Sequence, residues 1–300
     1  MPLVSVVIPS AGETKTLFRA LQSLQIQRFR DFEVIVVDDH AERSILETFF
    51  SNYEIKNEVK VLRADRKNQA GRIGELLNLG ISHAKGKFIA RLDDDDFCLP
   101  NRLKVQVRTL SSGFDLVGMQ AINIDEKLNY LSVTTLPSKY PEICKFSCTR
   151  NPFVHSSVMF TLESFMEIGK YSEELILGQD YDLWLRYINH NYRIRNLKRP
   201  GILHTRSDRQ LTNQFSKEFR DVNIWAIQQS NSESRHFSSR AKVVELPAER
   251  FFKIKSFSWI FKLLTEFKLY QFFVDFLILL IYNQIASPIK VTNLRFRKKF

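Results

Sequence analysis

Lys87-Phe88-Ile89-Ala90-Arg91-Leu92-Asp93-Asp94-Asp95-Asp96 runs from an apolar stretch straight into four consecutive carboxylates. Residues 87–92 predict a buried strand, and Pro100-Asn101-Arg102 beyond it predicts the opening of a helix. Adjacent carboxylates repel one another, so leaving four ionised at a strand end is costly without a cation. An extended backbone there would put Asp93 and Asp95 on one face, with Asp94 and Asp96 opposite. A hard ion such as Mg²⁺ or Mn²⁺ takes one or two carboxylates and fills its shell with substrate phosphates and water. The competing reading is a solvated acidic loop. An EF-hand does not fit, because no Gly or closing Glu stands at the required offsets.

Outward from that stretch, short apolar runs alternate with helical patterns. Residues 4–8 predict a buried strand that stops at Pro9, and residues 33–37 predict another that runs into Asp38-Asp39. Residues 59–63 form a weaker third. Residues 14–25 carry Leu17, Ala20, Leu21 and Leu24 at helical spacing, and residues 71–84 carry Leu76, Leu77, Gly80, Ile81 and Ala84 on one stripe. The class is therefore α/β, a layered sheet flanked by helices. In open α/β sheets ligands gather at the carboxyl ends of the strands, where both acidic clusters stand. Past residue 114 the pattern loosens: residues 114–119 and 156–160 suit strands, and 182–189 a short helix with Leu183, Trp184, Tyr187 and Ile188 apolar. The body is expected to end near residues 230–245, giving a domain over 1–240 and an appendage over 241–300.

Composition excludes several classes. With 44% hydrophobic and 26% charged residues the chain is globular rather than disordered. Three cysteines, Cys98, Cys144 and Cys148, give neither a disulfide framework nor a zinc knuckle and fit a reducing compartment. The opening Met1-Pro2-Leu3-Val4 has no basic stretch before its apolar run, which suits a strand and not a secretion signal. The net charge of +11 is uneven: residues 251–300 hold nine Lys/Arg and two Asp/Glu, leaving +4 for the rest. That basic, Phe-rich tail is expected to be helical and to lie on an anionic membrane leaflet. Residues 276–289 are uncharged but number 14, short of the roughly 20 that a spanning helix needs. The alternative is a helix packed on the domain or on a second copy, as a homodimer contact. Nucleic acid is not expected, since no matching motif accompanies the charge.

Other residues admit two readings each. Asp38-Asp39 can bind a base or ribose, or can cap and turn the chain. Asp180, ahead of an apolar helix, can be a general base, a cap, or both. His155 and His204 are lone histidines with core or surface roles as the default. Arg72, Arg186 and Arg206 can face phosphates or solvent.

Together these motifs resemble the family 2 glycosyltransferases of the GT-A fold, notably bacterial enzymes of capsule, lipopolysaccharide and exopolysaccharide synthesis. The resemblance covers residues 3–110 and 150–190. It rests on Val4-Ser5-Val6-Val7-Ile8-Pro9-Ser10, Phe32-Glu33-Val34-Ile35-Val36-Val37-Asp38-Asp39 and Leu77-Asn78-Leu79-Gly80-Ile81 with Ala84-Lys85-Gly86-Lys87. It continues through Ile89-Ala90-Arg91-Leu92 and the four acids, Asn151-Pro152-Phe153-Val154-His155-Ser156-Ser157, and Gln179-Asp180. It implies a Rossmann-like mixed sheet flanked by helices, with a helical C-terminal appendage. By the same resemblance Pro9, Ser10 and Asp39 would hold the nucleoside, with Asp38 supporting. Asp93 and Asp95 would be the DXD pair for metal and diphosphate, with Asp94 on the donor and Asp96 on the metal. Asp180 stands where the family places its base, and Trp184 and Arg186 would shape the donor–acceptor pocket. The chain departs from the family at His40-Ala41, often Gly-Ser; at Gln179, often Glu; and at His204-Thr205-Arg206, which reverses the usual Arg-x-His.

The implied reaction moves one sugar from a nucleotide diphosphate donor to a saccharide or lipid-linked saccharide acceptor. Asp180 would take the acceptor's proton, Mn²⁺ or Mg²⁺ would stabilise the leaving diphosphate, and attack from the opposite face would invert the anomeric carbon. The enzyme would be cytoplasmic, peripheral on the cytoplasmic face of the membrane. Processive synthesis is not expected, since no Gln-x-x-Arg-Trp signature is present. Three rivals are a non-catalytic nucleotide-sugar-binding subunit, a peripheral scaffold protein that uses only the tail, and a sugar-1-phosphate nucleotidyltransferase, which should show a Gly-rich phosphate loop near the first strand.

Overall fold

The computed structural model describes residues 1–11, 14–40, 59–64 and 72–207, with Phe215, Asp221, Ile224, Trp225, Ile227 and Gln228. The elements are β1 (Val4–Ser10), α1 (Thr14–Gln25), β2 (Phe32–Asp38), β3 (Val59–Arg63), α2 (Ile73–Ser82), β4 (Phe88–Arg91), β5 (Phe97–Cys98) and α3 (Arg102–Leu110). They continue as β6 (Leu116–Asp125), β7 (Tyr130–Val133), α4 (Tyr140–Ser147), a single 3-10 turn (His155–Ser157), β8 (Met159–Thr161), α5 (Leu162–Glu167), α6 (Gln179–Asn189) and β9 (Ile194–Arg206). The strands form one mixed sheet in the order β3-β2-β1-β4-β8-β6-β9-β5, with β7 beside β6. β3, β2, β1 and β4 are parallel, and β8 enters antiparallel to both β4 and β6.

Strand alternation sorts the core into two layers. Val4, Val6 and Ile8 of β1, with Val34 and Val36 of β2, meet Leu17, Leu21 and Leu24 of α1 and Leu103 and Leu110 of α3. Val7, Ile35 and Val37 face the other way, onto Leu76, Leu77 and Ile81 of α2 and a layer holding Phe165, Leu183, Trp184 and Tyr187. The continuous apolar runs of β1 and β2 follow from burial on both faces. Gly80 lets α2 lie against the sheet, because a Cβ there would come within 2.5 Å of Val7 and 2.8 Å of Val37.

β1 does not stop at Pro9. Leu92 N donates to Val7 O and Asp39 N to Ser10 O, so odd-numbered residues of β1 turn towards β4 and even-numbered ones towards β2. Pairing with β4 ends at Val7, so the N–H that Pro9 lacks falls where the ladder has already finished. The strands expected over residues 114–119 and 156–160 shift: β6 runs ten residues, and the second begins as a 3-10 turn before β8. β9 was not foreseen. It crosses Pro200-Gly201 by slipping register against β6 on either side of Gln120. The helix expected over 182–189 starts earlier, at Gln179.

The chain divides into two units, Met1–Ile254 and Lys255–Phe300. The domain boundary expected near residue 240 and the whole tail lie outside the described residues. No helix among the described residues is long and apolar enough to cross a membrane.

Candidate active site at the carboxyl ends of β1, β2 and β4

β4 pairs with β1 as far as Arg91, opposite Val7, and β1 pairs with β2 as far as Ser10, opposite Asp38. The three strands therefore end side by side. Beyond β4 the backbone does not stay extended as expected: it folds into a turn, with Asp96 N donating to Asp93 O at 3.2 Å. Turning separates the like charges. Asp93 Oδ1 accepts from Arg91 Nη2, and Asp94 Oδ2 accepts from Ser10 Oγ at 2.8 Å. Asp96 points inward, fully buried, and accepts from Thr205 N at 2.8 Å. The Asp95 carboxylate accepts no hydrogen bond from another described residue, while its carbonyl accepts from Thr205 Oγ1.

Two guanidiniums lie beneath this turn. Arg91 is 2% exposed and Arg102 1% exposed. Arg102 donates to the carbonyls of Arg91 and Val158 and to Gln106 Oε1. Part of the compensation for the four carboxylates is therefore built into the fold. Burial pushes the Asp93 carboxyl up, but Arg91, His155 and His204 outweigh it and hold it below the usual carboxylate value. Asp95 is pushed up to about 7 by burial and then by Asp93 and Asp94. Asp96 is raised well above the ordinary value by burial and then by Asp95 and Asp93.

At the end of β2 the acids divide as well. Asp38 is buried, with Oδ1 accepting from His40 N and facing His40 Nδ1, and Oδ2 accepting from Arg63 Nη1. It fastens β2 to β3. Asp39 Oδ1 is buried and accepts no hydrogen bond among the described residues, with Arg72 Nη1 at 3.5 Å.

Asp180 lies in the first turn of α6, behind Gly178, whose φ of +79° a Cβ would strain. Its Oδ2 accepts from Asn151 Nδ2 at 2.6 Å, and Asn151 Oδ1 accepts from Phe153 N. His155 follows, with the carboxylates of both Asp93 and Asp180 within electrostatic reach of its ring. Burial, with Arg91 adding to it, lowers His155 to about 4. His204 is likewise lowered to about 4, by burial and then by Arg206, and its Nδ1 is buried without a hydrogen-bond partner among the described residues.

Two expected pocket residues stand behind the site. Trp184 is fully buried, packed edge-on against Phe153 and His155. Arg186 is engaged by Asp182 and by the carbonyls of Ile168 and Lys170, which pins α6 to the preceding loop. Sequence reasoning gave no role to Arg91, Arg102, Asn151 or Tyr171. The signal for Arg91 was available: a lone charge inside the run Phe88-Ile89-Ala90-Arg91-Leu92.

Among the described residues no three His, Cys, Asp or Glu side chains converge as a ready cation cage. Asp95, whose carboxylate accepts no hydrogen bond from another described residue and is raised by burial and then by its neighbours, together with Asp93 instead offers a sparse carboxylate pair. That suits Mg²⁺ or Mn²⁺, which keep water and phosphate in their shells.

The sequence matches the family described as glycosyl transferase family 2 over residues 5–167. An uncharacterized glycosyltransferase of Methanocaldococcus jannaschii is 34% identical over 197 residues, which span 64% of this chain and 67% of that protein. The amylovoran biosynthesis glycosyltransferase AmsE of Erwinia amylovora is 28% identical over 205 residues, 67% of this chain and 74% of AmsE. The O-antigen biosynthesis glycosyltransferase WbnJ of Escherichia coli is 27% identical over 197 residues, 65% of this chain and 75% of WbnJ. Among solved structures, S. aureus TarS 1–349 in complex with UDP-GlcNAc superposes with a TM-score of 0.62 at 18% identity, covering 79% of this chain and 68% of that one. That likeness establishes the fold.

Proposed function

Because the chain belongs to glycosyl transferase family 2, we propose that it transfers a single sugar from a nucleotide diphosphate sugar to an acceptor hydroxyl. The transfer inverts the anomeric carbon and serves the building of a cell-surface polysaccharide or lipopolysaccharide. Relatives named for amylovoran and O-antigen biosynthesis support the pathway class, and UDP-GlcNAc bound to TarS supports a nucleotide-sugar donor.

One observation carries the chemistry: the segment 151–156 touches both acids, with Asn151 Nδ2 donating to Asp180 Oδ2 at 2.6 Å and Ser156 Oγ accepting from Asp93 N at 3.0 Å. A base and a leaving-group site that share one neighbour suit a displacement on an atom held between them. Pro9, Ser10 and Asp39 take the nucleoside, with Asp38 holding the strand end. Asp94 keeps Ser10 in place through its hydrogen bond. Asp93 and Asp95 hold a divalent cation, with Asp96 anchoring the turn behind them. When bound, that cation supplies Lewis acidity to the departing diphosphate. Asp180 accepts the proton of the acceptor hydroxyl.

The test is to screen UDP-, GDP- and dTDP-sugars for thermal stabilisation with and without Mn²⁺, then to assay transfer with the donor that stabilises. Asp180→Asn should bind that donor as the unmodified chain does and lose transfer by about 10²–10⁴-fold. Unaltered turnover removes Asp180 from the mechanism. The basic, Phe-rich tail anchors the enzyme on an anionic leaflet beside a lipid-linked acceptor. Liposome co-sedimentation of the full chain against a truncation to residues 1–250 checks this, and equal partitioning dismisses the anchor.

A further inference from the structure

His155 is the side chain on which the two halves of the site meet, and its surroundings define which ring nitrogen carries the proton. Nε2 lies 3.0 Å from the Tyr171 hydroxyl. Tyr171 is 3% exposed, and its hydroxyl has no other hydrogen-bond partner among the described residues. A buried O–H seeks an acceptor, and Nε2 is the one within reach. Nε2 therefore accepts, and the imidazole proton resides on Nδ1, which makes no hydrogen bond with any described residue. Tyr171 is itself held from α2: its N–H donates to Asn78 Oδ1 at 3.1 Å and its carbonyl accepts from Asn78 Nδ2 at 2.9 Å. The imidazole ring is further fixed by Trp184, 6.0 Å away edge-on. A ring that accepts at Nε2 is neutral.

Inversion at an anomeric carbon places the leaving diphosphate and the attacking hydroxyl on opposite sides of the transferred sugar. Asp93 belongs to the first side and Asp180 to the second; His155 adjoins Ser156, which accepts from Asp93 N, and packs on Trp184, one turn along the helix that carries Asp180, so it lies between the two sides, alongside the sugar ring. A neutral N–H at that place suits a hydroxyl, whereas a phosphate would be better served by a cation. We propose that His155 Nδ1–H donates a hydrogen bond to a hydroxyl of the transferred sugar and so selects among donors, with Tyr171 and Asn78 as positioning residues. The assignment rests on the sugar-transfer reading above.

Two substitutions separate donor chemistry from packing. His155→Phe keeps a ring between Trp184 and Tyr171 but removes the N–H, and should lower kcat/KM for the preferred donor roughly 5- to 100-fold. His155→Asn keeps a donor near the Nδ1 position and should recover most of that loss. One monodeoxy sugar donor should cost the unmodified enzyme the same factor and cost His155→Phe nothing more. Imidazole ¹⁵N shifts should report Nδ1–H in the full chain, and Tyr171→Phe should shift the population towards Nε2–H.

Wild-type transfer by His155→Phe, an Asn variant no better than the Phe variant, or Nε2–H in the unmodified chain each overturns the assignment while leaving sugar transfer intact. No transfer by the unmodified chain from any nucleotide diphosphate sugar overturns both.

Discussion

The carboxyl ends of β2 and β4 present the same device with different charge balance. At each, adjacent acids split into one that closes the fold and one whose carboxylate accepts no hydrogen bond from another described residue at one or both oxygens: Asp38 against Asp39, and Asp96 against Asp95. At β2 the two carboxylates face Arg63 and Arg72, the latter shared with Glu75. At β4 four carboxylates stand over two buried guanidiniums, Arg91 and Arg102. Among the described residues, the β2 acids each face a guanidinium, whereas at β4 burial and mutual repulsion raise Asp95 and Asp96, so negative charge there is crowded and not paired off. In the proposed reaction a base or ribose is assigned to the first, and a divalent cation with its diphosphate to the second.

The sharpest way to break this contrast is Asp95→Asn. If the crowded charge at β4 is what recruits the cation, transfer should fall by on the order of 10²–10³-fold, as when one preorganised electrostatic group is removed. The melting temperature should hold or rise, because the variant relieves repulsion from Asp93 and Asp94. Normal transfer would mean that Arg91 and Arg102 already do the cation's work, and the two strand ends would then be equivalent.

A smaller effect separates Asp38 from Asp39. Asp38→Ala strands Arg63 and His40 at the β2–β3 junction and should destabilise the fold by about 2–4 kcal/mol, read from denaturant midpoints. Asp39→Ala should cost under about 1 kcal/mol of stability, while weakening donor binding by roughly tenfold in calorimetry. If the two exchanged effects, the division of labour at β2 would be the reverse of the one described.

How much of this was legible in the sequence follows from where burial is two-sided. β1, β2 and α1 announce themselves because an interior parallel strand is apolar on both faces and the helix on it carries a full stripe. β9 hides because Lys198-Arg199-Pro200-Gly201 has the composition of a turn, and only the slipped register against β6 admits a proline in the middle of a strand. β6 hides because Gly118, Gln120 and Asn123 break its apolar run, although their partners, such as Thr134 and Leu136 for Gln120, lie far along the chain. The acidic clusters were visible as composition, but not their compensation. Arg102 is neutral to pattern analysis at a helix start, and nothing local says that Cys98, Gln106 and two carbonyls enclose it. Trp184 fits a pocket wall or a core equally well on a helix, and only the packed layer decides for the core.

The smallest effect is also the one whose sign is easiest to get wrong. Asp95 titrates at about 7 in the folded chain, against 3.8 ordinarily, because burial and then Asp93 and Asp94 disfavour its charge. Between those values the folded chain holds a proton that the unfolded chain has released. Stability from this group is therefore fully present below about pH 4 and is lost as pH rises through about 7. In chelator, melts of the unmodified chain and of Asp95→Asn between pH 4 and 8 should diverge in that direction, by no more than one proton's worth of slope. A divalent cation reverses the preference: it binds the ionised form, so its affinity should rise with pH over the same window as the proton is displaced. Parallel melting curves with a pH-independent Mn²⁺ affinity would show that the crowded charge at β4 is not focused on Asp95, and the contrast with β2 would have to be carried by Asp93 alone.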